Sequence, residues 1–455
     1  MKERHFTAQR LEAAAFWLEL LQADPDPRGV IDRLLEAQLE QGLCYKGKPL
    51  CTVARPRFVA AAEMVVEEHA VTYLSSAILK VRDRVLADAD LRTAYLGGFE
   101  DWATPFLALE PRRHETRAIL RFDSFLSPTG LKFVEVNGDI PGGAVCNDAL
   151  LRLWRSLDFF PAFRQRYEVR PALADLGLIQ ALMTVWQSWG GSGTPRVCVL
   201  SFPGGIEDIL AVLTVEMLTA LGFDVTHAYA EHLDYSGGRL SARGRVVDVV
   251  YRVQRIGDCL RNAEALAPLF EAVKADAVCM INPFHSALLS NKALFSLLTD
   301  TTVDFGFSDA EEAAVRAHVP WARTLRDARS TGARGEPVDL VPHVLAHKDE
   351  LVVKPAHEAG GAGVRLGWTC SESEWEEAVT AALAIDSVVQ QRVDEAVTEY
   401  PVLEPGFPVT TFYEDTDPFV FPGGYVAVLN RVSAAAITNV AQGGSIVPTF
   451  VIEPR

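Results

Sequence analysis

The sequence predicts an α/β protein with an N-terminal helical region, and three observations predict it. Apolar residues recur at three and four spacing through much of the first hundred positions, the period changes to two at Ala118, and strand-like and helix-like runs alternate from about 195 to 285.

LEAAAFWLELL and RFVAAAEMVVEEHAVTYLSSAILKVRDRVLADADL read as amphipathic helices, punctuated by Pro25, Pro27 and Gly29. ILRFDSFLSPTGLKFVEVN then reads as a hairpin ended by the PGG at 141–143. The polar stretch SWGGSGTP marks a boundary near 190. Beyond it come a strand at 197–202, a helix over 207–221, strands at FDVTHA and VVDVVYR, a helix over 261–274 and the strand AVCMIN, the pattern of a small parallel α/β domain. ALLSNKALFSLLTD predicts a helix, STGARGEP a surface loop, and LVVKPAHEAGGAGVRLGW two strands around a glycine loop. Ser371 and Glu374 form a capping box that opens the helix SEWEEAVTAALA, and VVQQRV is the strand after it. The last fifty residues alternate and hold GG twice, as antiparallel strands and turns do.

With 455 residues, 49% apolar and 23% charged, the chain has material for two to four folding units and is neither disordered nor collagenous. Sixty acidic against 43 basic residues leave a net charge of −17 with no long basic run, which excludes a mainly electrostatic grip on nucleic acid. Seven cysteines, an odd number with no CxxC pair, read as reduced thiols. No signal-peptide pattern opens the sequence and no apolar run approaches about 18 residues, so a cytoplasmic protein away from membranes is expected.

Candidate chemistry begins in the hairpin. With Pro128 and Gly130 in a three-residue loop, Ser127 faces Leu131, Asp123 lies opposite Glu135, and Arg121 lies opposite Asn137. Period-two alternation puts those last four side chains on one face and Phe122, Val134 and Val136 on the other. Two opposed carboxylates beside an amide oxygen suit Mg²⁺, with Arg121 near whatever anion the metal carries. The same residues also make an ordinary polar face in which Arg121 neutralises two acids. Downstream, Lys354 ends an apolar strand shortly before the glycine loop at 360–363, an arrangement that meets phosphate with a point charge and unhindered backbone N–H groups. A plain hairpin turn with a solvated lysine is the alternative, and no GxxxxGK[ST] or dinucleotide fingerprint occurs.

RFDSF, FVEVNGDIPGG, INPFHSALLSNKAL, LVVKPAHEAGGAGV, VVQQRV and ITNVAQGGSIVPTFVI, in that order, resemble the circularly permuted ATP-grasp ligases, the group of glutathionylspermidine synthetase and the eukaryotic-type glutathione synthetases. The resemblance covers about residues 115–455. It implies a permuted ATP-grasp fold with a helical region over 1–115, a first ATP-grasp part over 116–190, a pre-ATP-grasp α/β domain over 195–285, and a lid and C-terminal part over 286–455. It implies that Asp123, Glu135 and Asn137 hold two Mg²⁺ ions and that Arg121 stabilises the transferred phosphoryl group. Lys292 and Lys354 resemble the family's ATP phosphate lysines, Gly360, Gly361 and Gly363 its mobile loop, and Gln390, Gln391 and Val393 its adenine-facing strand. Gln391 stands where many relatives have Glu, and Asn439, Gln442, Gly443 and Gly444 match a closing motif. Arg431 receives no role.

Glu216 and Arg252 lie where an open sheet presents ligand contacts, though both also read as surface charges. His357 reads as a solvated loop residue and Cys146 as a small buried one, while no HExxH or GxSxG occurs. The resulting expectation is an ATP- and Mg²⁺-dependent ligase that joins a small-molecule carboxylate to an amine through an acyl phosphate. A small-molecule kinase and a non-catalytic nucleotide-binding protein are the alternatives.

Overall fold

Trp17 explains how the two ends of the chain meet. In the computed structural model, which describes residues 2–96, 106, 109, 118–171, 173–358, 360–424 and 426–455, its indole is fully buried against Phe58, Phe163 and Phe450. The helix Lys2–Gln22 is thereby docked on the C-terminal strand Thr449–Pro454, which runs parallel to Arg57–Ala60 and antiparallel to Tyr167–Pro171. The strand Arg57–Ala60 departs from the helix expected there. Its four consecutive buried residues carry no face preference, and sheet pairing rather than local pattern makes it extended. Helices Pro27–Glu40 and Ala61–Ala87 form as expected, and the expected boundary at 115/116 lies outside the described residues.

The hairpin forms from Leu120–Ser127 and Gly130–Asn137, with Arg121 opposite Asn137 and Asp123 opposite Glu135. Its turn differs from expectation. Ser127 pairs with Gly130, so the loop holds only Pro128 and Thr129, tightened by the Ser127 hydroxyl, which donates to the Gly130 carbonyl at 2.8 Å. A shift of one residue at the acids would follow, but a bulge between Asp123 and Ser124 cancels it. Val134 is the extra residue. It therefore leaves the core face, where Phe133 joins Phe122 and Val136, and turns to the cleft described below.

This hairpin is the edge of a larger antiparallel sheet. Leu120–Ser127 pairs with Val409–Val420, which pairs with Val426–Ser433, and Ser445–Val447 follows. A parallel sheet lies in the order Cys279–Ile281, Val249–Arg252, Arg196–Leu200, Asp224–Ala228, with the helix Gly205–Ala220 following the third of these strands in that order. Asn282 ties it to the hairpin through bonds to Ile119 and to the Gly138 carbonyl. The helix expected over 261–274 is two, Ile256–Arg261 and Ala267–Lys274, because Pro268 starts the second. The helix expected over ALLSNKALFSLLTD is likewise broken, since the Asn291 side chain accepts the Ala293 N–H and donates to the Tyr95 carbonyl. STGARGEP is the turn of a small hairpin, Arg329–Thr331 with Pro337–Asp339.

A second antiparallel sheet runs Ala322–Thr324, Ser387–Gln391, Leu351–Pro355, Arg365–Leu366, and the helix Glu372–Leu383, with its Ser371/Glu374 capping box, packs on it. Among the described residues no helix is long and apolar enough to cross a membrane.

Candidate active site

A cleft of about 820 Å³ opens where the hairpin, the second antiparallel sheet and the C-terminal end of the parallel sheet converge. Arg121, Asp123, Glu135 and Asn137 line it from the hairpin, Lys354, Gly360 and Gly361 from the strand and loop opposite, Gln390 and Gln391 from the neighbouring strand, and Val393 from just beyond that strand's end at Gln391. Two expected residues stand off its wall. Lys292 is buried behind Glu135, with its ammonium 3.5 Å from that carboxylate and donating to the Glu358 carbonyl. Gly363 rests on Pro355, where a Cβ would come within 2.6 Å of the ring.

Asp123 is heavily engaged. It accepts bonds from Arg121 at 2.9 and 3.1 Å, from Asn137 at 3.0 Å and from Arg431 at 2.9 Å. Burial works against its charge, but the Arg121 and Arg431 guanidiniums outweigh burial and hold the carboxyl down at about 2. Arg121 also donates to the Gly142 carbonyl at 2.9 Å. The Lys354 ammonium donates to the Gln390 amide oxygen at 2.6 Å. Burial brings that ammonium down to about 8, with Glu135 opposing the fall and Lys292 adding to it.

Arg431 is the hub that the sequence leaves without a role. Besides Asp123, it pairs with Asp415 at 2.7 Å and Asp417 at 2.9 Å. Asp417 is fully buried and neither of its oxygens accepts a hydrogen bond, because the Arg431 Nε hydrogen nearest it points to Asp415. Burial pushes Asp415 up and Asp417 well up, against the pull of Arg431. Asp415 also accepts the Thr438 hydroxyl. From the adjoining turn, Gln442 donates to the Gly360 carbonyl at 3.4 Å, and Ile437 lies where a Gly361 Cβ would meet it at 2.9 Å. A chain of contacts therefore runs from the glycine loop through the segment 437–442 and Asp415 to Arg431 and Asp123. Gly360, Gly361 and Gly363 all have positive φ, a conformation that side chains resist.

Glu395 is a further member that sequence reasoning misses. Burial, with Asp415 adding, pushes its carboxyl up to about 8, and one of its oxygens has no hydrogen bond. His357 lines the cleft, half-buried rather than solvated, and burial brings it down to about 4, so it stands there as the neutral ring. Cys146 lines it with its thiol pushed up to about 12 by burial, which makes it inert. Arg252 is no surface charge. It is buried and holds Asp139 at 2.6 Å, whereas Glu216 is exposed and off the cleft wall.

Among the described residues no three His, Cys, Asp or Glu side chains form a metal cage. The donor set at the hairpin is two carboxylates and an amide on one face. Mg²⁺ usually takes one or two carboxylates and completes its shell with water and substrate phosphate, so these residues fit that ion in company with a phosphate ligand.

No protein-family model and no curated protein matches the chain. Among solved structures, a glutathione synthetase-like effector from Globodera pallida in apo form matches over 94% of this chain and 98% of its own, at 13% identity and a TM-score of 0.61. That likeness is one of fold. A candidate γ-glutamylcysteine synthetase from Methylobacillus flagellatus KT matches over 82% of this chain and 88% of its own, at 13% identity and a TM-score of 0.43.

Proposed function

We propose that the protein is an ATP- and Mg²⁺-dependent carboxylate–amine ligase of circularly permuted ATP-grasp architecture. The observation that carries the proposal is the convergence, on one cleft, of the Asp123, Glu135, Asn137 and Arg121 set with Lys354 and the glycine loop, from segments more than two hundred residues apart. The fold shared with a protein named for glutathione synthetase supports the same class.

On this reading ATP lies between the two antiparallel sheets. Gln390, Gln391 and Val393 face the base, Lys354 meets the phosphates, and Gly360 and Gly361 close over them, with Lys292 bracing Glu135 from behind. Mg²⁺ held by Asp123, Glu135 and Asn137 would neutralise phosphate charge. The acid's carboxylate attacks the γ-phosphorus, the bond to the bridging oxygen breaks to release ADP, and an acyl phosphate forms while Arg121 supports the charge on the transferring group. An amine then attacks the acyl phosphate, forming the amide and releasing phosphate. Closure of the loop keeps water from that intermediate.

The test is interception. With ATP, Mg²⁺, hydroxylamine and a pool of amino acids, peptides and other small acids, the expected products are a hydroxamate, ADP and phosphate. ADP with a phosphorylated product and no hydroxamate would replace the ligase by a kinase. No ATP consumption with any pool would leave a nucleotide-binding protein.

A further inference from the structure

Beside the cleft lies a second, smaller cavity of about 30 Å³, room for one or two methyl-sized groups. It shares Asp139, Ile140, Gly142, Gly143 and Leu210 with the cleft, so the two meet at the PGG turn. The absence of side chains keeps that junction open. A Cβ on Gly142 would stand 2.9 Å from a Leu210 methyl, and one on Gly143 would stand 2.8 Å from a Leu429 methyl.

The far wall is Leu178, Phe419, Phe421 and Val253, with Ala174 at the start of the helix Ala174–Trp189. The buried polar side chains of the wall are already satisfied. Thr214 donates to the Leu210 carbonyl at 2.7 Å, Arg252 is paired with Asp139, and Asn282 bonds Ile119 and Gly138. Most of the wall therefore offers a guest dispersion contacts, with the Tyr251 phenol as a polar exception, which favours an apolar group over a charged one.

We propose, on the basis of the ligase reading, that this cavity receives a short branched aliphatic side chain of the acid substrate. The acid is assigned rather than the amine because the Gly142 carbonyl at the junction holds Arg121 at 2.9 Å, and Arg121 is the residue assigned to the phosphoryl group that the acid's carboxylate attacks. A side chain adjacent to that carboxylate reaches the junction; the amine arrives only after transfer.

The experiment compares acids with hydrogen, methyl, isopropyl and benzyl side chains (glycine, alanine, valine and phenylalanine), each free and as the C-terminal residue of a dipeptide. ADP release gives kcat/KM and calorimetry gives affinity. The isopropyl acid should exceed the hydrogen acid by about tenfold or more, the scale of discrimination that one or two buried methylenes give. Ala174→Val, which fills the cavity, should remove that gain. Leu178→Ala, which enlarges it, should move the optimum to the benzyl acid. A flat preference, or a preference that neither variant moves, overturns the proposal and leaves the ligase standing. If none of these acids yields ADP, the wider pool decides the ligase reading and calorimetry decides the cavity alone. Binding of the isopropyl acid that Ala174→Val abolishes sustains it, and no binding of any acid overturns it.

Discussion

Replacing Arg431 by Met removes the only cation in contact with Asp415 and Asp417 among the described contacts and one of two that hold Asp123. Charges about 4 Å apart attract by about 4 kcal/mol at an effective dielectric of about 20, so three contacts of 2.7 to 2.9 Å represent a large gross attraction. Desolvation and repulsion among the acids take most of it back. What remains measurable is the cost of orphaning buried charge, about 3–5 kcal/mol. The pH dependence follows from the directions of the carboxyl shifts. Burial already raises Asp415 and Asp417, and loss of Arg431 raises them further, so the deficit grows as pH rises above the ordinary carboxylate value near 4. Asp123 acts with the opposite sign in the parent. Its carboxyl lies at about 2, so the stability it confers is present above about 4 and is lost as pH falls from there to about 2. Urea unfolding of Arg431→Met should therefore show a deficit of about 3–5 kcal/mol at pH 7 and a clearly smaller one near pH 4.5. Adding Asp417→Asn should recover part of it. A deficit below about 1 kcal/mol at pH 7, or one equal at both pH values, would show that the cluster does not carry the charge argued here.

Three further outcomes follow from the cleft. Lys354→Ala should weaken Mg·ATP binding by about tenfold, with circular dichroism unchanged, as loss of a charge-assisted bond does. Because the parent ammonium titrates near 8, calorimetric ATP affinity should fall as pH rises through that value, and the variant should lose this slope. Glu135→Gln should abolish ADP production without unfolding the hairpin, since it removes one of two opposed acids; a destabilised but active variant would return the hairpin to an ordinary polar face. Thr438→Val, which cuts the link from Asp415 to the segment touching the glycine loop, should raise the KM for ATP several-fold, and Thr438→Ser should restore it.

The hairpin's functional face is legible in the sequence because period-two alternation fixes which residues share it. The route to that register is not legible. A two-residue turn and a bulge offset each other, and neither has a local signature strong enough to be read separately. Arg431 fails for a different reason. Every residue of Val426–Ser433 is buried, so alternation names no face, and the Arg431 contact to Asp123 spans 308 positions. Asp415 and Asp417, two apart in one strand, are the signal that a charged face crosses this sheet. The strand Arg57–Ala60 is silent for a similar reason, since its partners come from the far end of the chain and from 167–171.

Arg121 connects the two readings that the hairpin admits. Its guanidinium forks onto Asp123, beside Arg431, and the hairpin is then a neutralised polar face. On the proposed function, a cation bound at Asp123 competes for the same oxygens and weakens that fork. The transferring phosphoryl group then offers Arg121 a new anion, while Gly142 keeps its Nη1 in place at 2.9 Å. Arg431 stays with Asp415 and Asp417, so the charge on the inner side of the sheet is held while the outer guanidinium changes partner. The buried acids that burial alone would disfavour thus have a physical use. On the proposed function they anchor one arginine, which would leave the other free to respond to the nucleotide.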